Sequence, residues 1–295
     1  MSPDGPAARS SGCWRLTELQ GDFAEVRRAL EEDRAEDDVT TRLLGAAARR
    51  PACARFVAED RFVVAGLPTV SRVYAELEAA ARVEELSREG TWVSPGAVIA
   101  RVRARAGTLL SGERVALNFL QRLSGVATLT RRVVEAVEGT GARITHTRKT
   151  TPGLRALETY AVTVGGGVEN RRSLAGAVLW KDNHWALLGS GDLAQALATA
   201  PPDLPIVVEV EDDAQLERAL RAGVRHILAD NQPPERVAAW VRRAGPDVTV
   251  QASGGITPET ARAYADAGAR LISVGALTHS APAAPIRVDI AADSA

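Results

Sequence analysis

Of the thirty-six lysine and arginine residues in this chain, only two are lysine: Lys149 in ITHTRKTTPGLR and Lys181 in LWKDNHW. An ammonium is a compact charge on a flexible stem and a guanidinium is a planar fork, so a site that needs the former does not accept the latter. Each lysine closes a short apolar run, and other ionic residues do the same. Arg148 and Arg171 add cations, while Glu209, Glu211 and Asp230 add carboxylates. A crowd of cations calls for an anionic ligand. Two or three carboxylates suit magnesium bridging a polyphosphate, because that ion takes few protein carboxylates and completes its shell with phosphate oxygens. Taken singly, each of these residues also reads as a rim salt bridge. Two glycine turns, ASGGI (252–256) and SVGAL (273–277), offer backbone N–H groups for phosphate through Ser253, Gly254, Gly255 and Gly275, with His279 close behind. A third cluster, VGGGVENRRSL (164–174), reads either as a close backbone approach or as a plain surface loop.

The elements that must position these residues repeat one phrase from about residue 140. A β-rich run ends in polar residues and an amphipathic helical pattern follows: ARIT, AVLW, PIVVEV, HILA, VTVQA and ARLISVGA alternate with segments such as DAQLERALRAG and PERVAAWVRRAG. Alternation of this kind predicts βαβ units and a parallel sheet, and six units without a Rossmann fingerprint predict a partly open α/β barrel. Barrel sites lie at the C-terminal strand ends, so the polar tails, both lysines among them, converge on one mouth. The first 110 residues have strands with Gly and Pro turns and read as a separate α/β domain. A long helical pattern, SGERVALNFLQRLSGVATLTRRVVEAVEGTGA, opens with Arg114 and reads as interrupted near Ser124–Gly125. The expected division is a loose tail at 1–12, an N-terminal sandwich domain at 13–125 joined by a C-terminal strand at 284–295, and the barrel at 126–283.

Composition excludes several classes. A chain of 295 residues with net charge −1 gives no electrostatic footprint for nucleic acid, and no apolar run is long enough to span a bilayer. Cys13 and Cys53 are too few for a disulfide frame or zinc site. The start, MSPDGPAARSSG, lacks the apolar core of a signal peptide, and the expected location is the cytoplasm.

ERVALNFLQRLSGVATLT, TRKTTPGLRALETYAV, GGGV, KDNH, VEVE, ADN, SGG and SVGALTHS resemble, in this order, the quinolinate phosphoribosyltransferase family, the carboxylating nicotinate-nucleotide pyrophosphorylases. The resemblance runs from about Gly21 to Ile290. It implies an N-terminal α/β sandwich, a partly open barrel of about six strands, and a homodimer, or a larger assembly of such dimers, in which the partner's N-terminal domain completes each mouth. It implies that Arg148 and Arg171 bind the carboxylates of a pyridine acid, with His146 and Asn170 nearby and Arg114 arriving from the neighbour. Lys149 and Lys181 would lie between that acid and phosphoribosyl pyrophosphate, Glu209 and Asp230 would hold magnesium and ribose hydroxyls, and Ser253, Gly254, Gly255, Gly275 and His279 would surround the 5-phosphate.

Four places depart from the family pattern. His146 stands where DTRKT is usual; Glu169 and Asn170 replace the Asn-His of GGG-x-N-H-R; Gln251 replaces a glutamate; Trp180 and Trp185 bracket KDNH. These leave three readings: a quinolinate enzyme with compensated changes, a paralogue for another pyridine or aryl carboxylate, and a non-catalytic phosphoribosyl- or nucleotide-binding protein. Intact Glu209, Asp230 and both lysines favour catalysis. A generic phosphate-binding barrel isomerase or aldolase leaves TRKTTPGLRALE unexplained.

Overall fold

The computed structural model describes residues 23–292. The described residues begin with α1 (Ala24–Glu32) and α2 (Val39–Arg42), then β1 (Pro51–Ala58), β2 (Phe62–Val63), α3 (Leu67–Leu77), β3 (Arg82–Glu85), β4 (Trp92–Val93), β5 (Val98–Arg105) and the long α4 (Ala106–Ala136). The expected tail at 1–12 and the first residues of the sandwich domain lie outside the described residues. β12 (Ile286–Ala292) closes an antiparallel sheet of order β12-β1-β5-β3, with Ala52 opposite Ala292 and Ala58 opposite Ile286. One face of this sheet is covered: Phe56 meets Tyr74 of α3 edge-on at 6.4 Å, and both are fully buried beneath α4.

The predicted interruption of α4 does not occur. Ser124–Gly125 is a packing feature inside a continuous 31-residue helix. The Ser124 hydroxyl donates to Ala65 O and accepts from Ala65 N–H, both at 3.1 Å. Any Cβ at residue 125 would overlap the Pro282 carbonyl, so glycine is needed for a backbone crossing and not for a break.

The second sheet is parallel throughout: β6 (Arg143–Thr145), β7 (Val178–Trp180), β8 (Ile206–Val210), β9 (His226–Asp230), β10 (Thr249–Ser253) and β11 (Leu271–Ser273), in the order β6-β11-β10-β9-β8-β7. Between them run α5 (Arg155–Val164), α6 (Asp182–Leu188), α7 (Leu193–Leu197), α8 (Asp213–Arg221), α9 (Pro234–Ala244) and α10 (Pro258–Asp266), and α11 (Ala276–His279) follows β11. The six expected strands are all present, and each crossover returns the chain parallel to its predecessor, as βαβ units require. β6 and β7 are the two edges, so the barrel is partly open. The seam carries one parallel bridge, Thr145 to Val168.

Strand period two sorts the side chains. Ile144, Val208, Val210, Ile227, Ala229, Val250, Ala252 and Ile272 are buried and aliphatic, against the helices. The alternate positions form two rows inside the barrel. Register places Glu209, Leu228, Gln251 and Leu271 side by side, and Asp230, Ser253, Ser273 and Thr145 in the row above.

Candidate active site

Lys181 follows β7 directly, in register with Glu209 on β8. Its N–H donates to Nδ1 of His184 at 3.0 Å, which caps α6, and its Nζ meets Glu209 Oε2 at 3.0 Å. Glu209 is only 6% exposed. Burial raises its carboxyl above the usual range, Lys181 pulls it back, and Asp230 and Asp182 push it up again. A buried carboxylate held by one ammonium and faced by another carboxylate is poised to take additional positive charge.

Beside Asp230, Asn231 has a left-handed backbone (φ 52°), donates Nδ2 to Asp230 Oδ2 at 2.6 Å, and donates its own N–H to the Ser253 carbonyl at 2.9 Å. It abuts Gly254 so closely that a Cβ there would overlap its amide. Gly254 (φ 102°) and Gly255 (φ 60°) then turn the backbone out of β10 into open space. Asn231 was not singled out from the sequence. Its only signal there was its place in ADN.

Lys149 shares a corner with Gly275 and His279: an added Cβ on Gly275 would lie 3.1 Å from His279 Nε2 and 3.5 Å from Lys149 Cδ. Thr278 Oγ1 donates to the Lys149 carbonyl at 2.7 Å. The loop between Lys149 and α5 is fastened from behind. Glu158, fully buried, accepts from Thr151 N–H (3.0 Å) and Thr151 Oγ1 (2.7 Å), and from both Nε (3.0 Å) and Nη2 (2.7 Å) of Arg122 on α4. Arg122 also donates to the carbonyls of Ala281 (2.9 Å) and Thr278. One half-buried guanidinium thus ties the Lys149 loop to the turn after β11. Sequence reading missed this pair because its members lie 36 residues apart in unrelated elements.

Arg171 donates Nη1 to Ala177 O at 3.2 Å. Burial lowers its pKa, the nearby Arg148 charge lowers it further, and Glu209 opposes both. Nε of Arg148 is buried with no partner among the described residues. Two guanidiniums close enough to act on each other, one with an unanswered donor, have the chemistry to receive a carboxylate.

Two expectations need correction. His146 does not face the mouth: it is fully buried, with Nδ1 3.2 Å from Thr147 O and Nε2 accepting the Asn170 N–H at 3.2 Å, so neither ring nitrogen is available to a ligand. Asn170 is likewise turned inward, its Nδ2 donating to His146 O at 2.9 Å and its Oδ1 accepting the Arg171 N–H at 2.8 Å. Glu169 brings no unbalanced charge, since Arg172 holds it from Nε (2.9 Å) and Nη2 (2.6 Å) at the surface. Gln251 lies in the lower barrel row, between His226 Nε2 (2.7 Å) and Ser273 Oγ. Trp185 is core, with Nε1 donating to Glu209 O at 2.8 Å, and Trp180 packs edge-on to it at 6.1 Å. Glu211 is exposed at the start of the loop before α8. Arg114 is exposed on α4 and makes no hydrogen bond or ion pair with the described residues.

The family model described as quinolinate phosphoribosyl transferase, C-terminal domain, matches residues 126–289, and its N-terminal counterpart matches 38–124. The chain belongs to the quinolinate phosphoribosyl transferase family. The nicotinate-nucleotide pyrophosphorylase [carboxylating] of Mycobacterium leprae is 40% identical over 284 residues, covering 93% of this chain and 100% of that one. The human protein of the same name is 38% identical over 240 residues, 79% and 80% of the two chains. Among solved structures, NadC from Streptococcus pyogenes superposes with a TM-score of 0.87 at 33% identity, covering 95% of this chain and 99% of that one. The nicotinate-nucleotide pyrophosphorylase from Ehrlichia chaffeensis gives 0.86 at 32%, with 95% and 100% covered. Family membership therefore spans both sheets.

Proposed function

We propose that this chain is a carboxylating nicotinate-nucleotide pyrophosphorylase: it transfers phosphoribose from phosphoribosyl pyrophosphate to the ring nitrogen of quinolinate and releases pyrophosphate and carbon dioxide. The observation that carries the reading is the meeting, at one mouth, of the Arg148–Arg171 pair with the Lys181–Glu209–Asp230 cluster. The guanidiniums suit the two carboxylates of the acid. The glycine turns at Ser253–Gly255 and Gly275, with His279, suit the 5-phosphate at the other side of the mouth.

In this reading the arginines orient the pyridine nitrogen toward the anomeric carbon, and Lys149 lies where negative charge grows on the departing pyrophosphate. Lys181 neutralises Glu209 until substrate arrives and then faces the reacting ring. Glu209 and Asp230 suit ribose hydroxyls and magnesium. Two carboxylates are enough for an ion that completes its shell with phosphate oxygens. Magnesium, when bound, would offset the charge of the leaving group. The quaternary ring nitrogen then stabilises the carbanion left as the 2-carboxylate departs, so no side-chain nucleophile is required.

A second copy of the chain completes the mouth in this proposal. Among the described residues Arg114 is without a side-chain partner on α4, one turn after exposed Leu110, and α2, which packs against α4, exposes Val39 and Leu43; on the barrel side Leu174 before β7 and Leu187 on α6 are exposed. These are two apolar faces, one of which carries a guanidinium that the other's site can use. The test is pyrophosphate release that depends on quinolinate, phosphoribosyl pyrophosphate and magnesium together. Release with phosphoribosyl pyrophosphate alone, or none at all while that ligand still binds, would remove the reading.

A further inference from the structure

The open seam of the barrel is where the acceptor arginines sit, and a single parallel bridge, Thr145 to Val168, is all the strand pairing found there among the described residues. Val168 N–H donates to Ile144 O at 2.7 Å and Thr145 Oγ1 to Val168 O at 2.9 Å, after which the ladder ends. The next hydrogen bonds are made by side chains. The Asn170 N–H goes to His146 Nε2 and the Asn170 amide group returns to His146 O. The Asn170 oxygen takes the N–H of Arg171. We propose that His146 and Asn170 act as one positioning unit that extends the edge strand β6 by side-chain hydrogen bonds and thereby aims Arg171 at the acceptor's carboxylate. The proposal deepens the reading above and rests on it for the identity of the acceptor.

The chemistry requires one tautomer. Nε2 accepts from an amide, so the ring proton resides on Nδ1, where the Thr147 carbonyl takes it. Burial holds the ring's pKa below its ordinary value; the Thr147 carbonyl and Glu169 oppose this, and the Arg172 and Arg155 charges add smaller pushes in the same direction as burial. A protonated ring would turn the acceptor nitrogen into a donor facing an N–H and release residue 170. Arg171 is the residue directly affected, since its own N–H hangs on Asn170 and, among the described residues, its guanidinium is hydrogen-bonded only to Ala177 O.

The test combines steady-state kinetics with ring spectroscopy. His146→Ala and Asn170→Ala should each raise the KM for quinolinate by roughly ten- to a hundredfold through misplacement of Arg171, with the KM for phosphoribosyl pyrophosphate nearly unchanged. The double variant should be no worse than either single one, because the two residues form one unit. His146→Gln, which keeps an acceptor near the Nε2 position, should recover most of the loss, and His146→Asn, which reaches only the Nδ1 position, should not. Additive losses, or equal losses for both substrates, would overturn the proposal. With only four histidines in the chain, long-range ¹⁵N–¹H spectra read the tautomer without any substrate. A neutral Nδ1–H ring at His146 that begins to titrate normally in Asn170→Ala is expected. An Nε2–H ring in the wild type would overturn the positioning unit even if quinolinate proved not to be the acceptor. Failure of wild-type turnover with the expected spectra would instead sink only the functional reading.

Discussion

The two sides of the mouth are built by different means. On the phosphate side, β9, β10 and β11 are paired on both edges, and their ends deliver Ser253, Gly254, Gly255 and Gly275 through backbone geometry. On the acceptor side, β6 and β7 are edge strands, and side chains hold the loop carrying Arg171 in place of a ladder. In the proposed site, phosphate is met by N–H groups that every residue type supplies, so that side depends on dihedral angles and close approaches. The acceptor is met there by guanidiniums whose aim, in the proposal above, depends on a few side-chain hydrogen bonds. The departures at His146, Glu169 and Asn170 from the family pattern all fall on the second side, where a change can be absorbed by exchanging one hydrogen-bonding pair for another.

The largest effect should come where the two sides meet. In the proposed site Lys149 lies between the acceptor and the leaving group, so in Lys149→Ala kcat should fall by roughly 10²–10³-fold, as for loss of one preorganised charge-stabilising donor. A variant that keeps most of its activity would show that the lysine lies outside the reacting atoms. Glu158→Ala leaves the Arg122 guanidinium without its buried carboxylate, and thermal or denaturant unfolding should report a loss of about 3–5 kcal/mol. On the phosphate side, Gly254→Ala faces both a φ of 102° and an overlap with Asn231. It should cost about 1–3 kcal/mol of stability and weaken phosphoribosyl pyrophosphate, not quinolinate, in direct binding titrations.

Acidity separates the sides more finely. His146 at the seam and His226 beneath the phosphate side both have pKa values lowered by burial. A base with a depressed folded-state pKa binds fewer protons when folded, so stability is complete above the unfolded value of about 6.5 and is lost as pH falls below it. His226→Gln should flatten this acid slope in melting curves and leave the quinolinate KM alone. His146→Gln should flatten the slope too, but any residual defect should appear in that KM. The smallest change belongs to Glu169→Gln, which breaks an exposed pair with Arg172 and should shift stability by no more than about 1 kcal/mol.

Much of this arrangement is legible in the sequence, for an identifiable reason. Each barrel strand is a short aliphatic run whose alternate residues pack on helices, and each ends in polar residues because the mouth lies there. Lys149, Lys181, Glu209 and Asp230 could be gathered on that argument alone. Gly125 misled because its chemistry is the same whether a helix breaks or another backbone crosses, and the crossing partner, Pro282, is distant in sequence. His146 misled because the direction of its ring depends on residue 170, across a seam that no periodicity reports. Arg122 and Glu158 were invisible for the same kind of reason: an ordinary amphipathic helix pattern does not reveal which polar residue is buried.

The most direct measurement uses quinolinate labelled with ¹³C in the 2-carboxylate, incubated with phosphoribosyl pyrophosphate, magnesium and the enzyme, with products followed by mass. The account predicts unlabelled nicotinate mononucleotide, pyrophosphate and labelled carbon dioxide in equal amounts. Label retained in a nucleotide product, or no nucleotide at all while phosphoribosyl pyrophosphate remains bound, would contradict it.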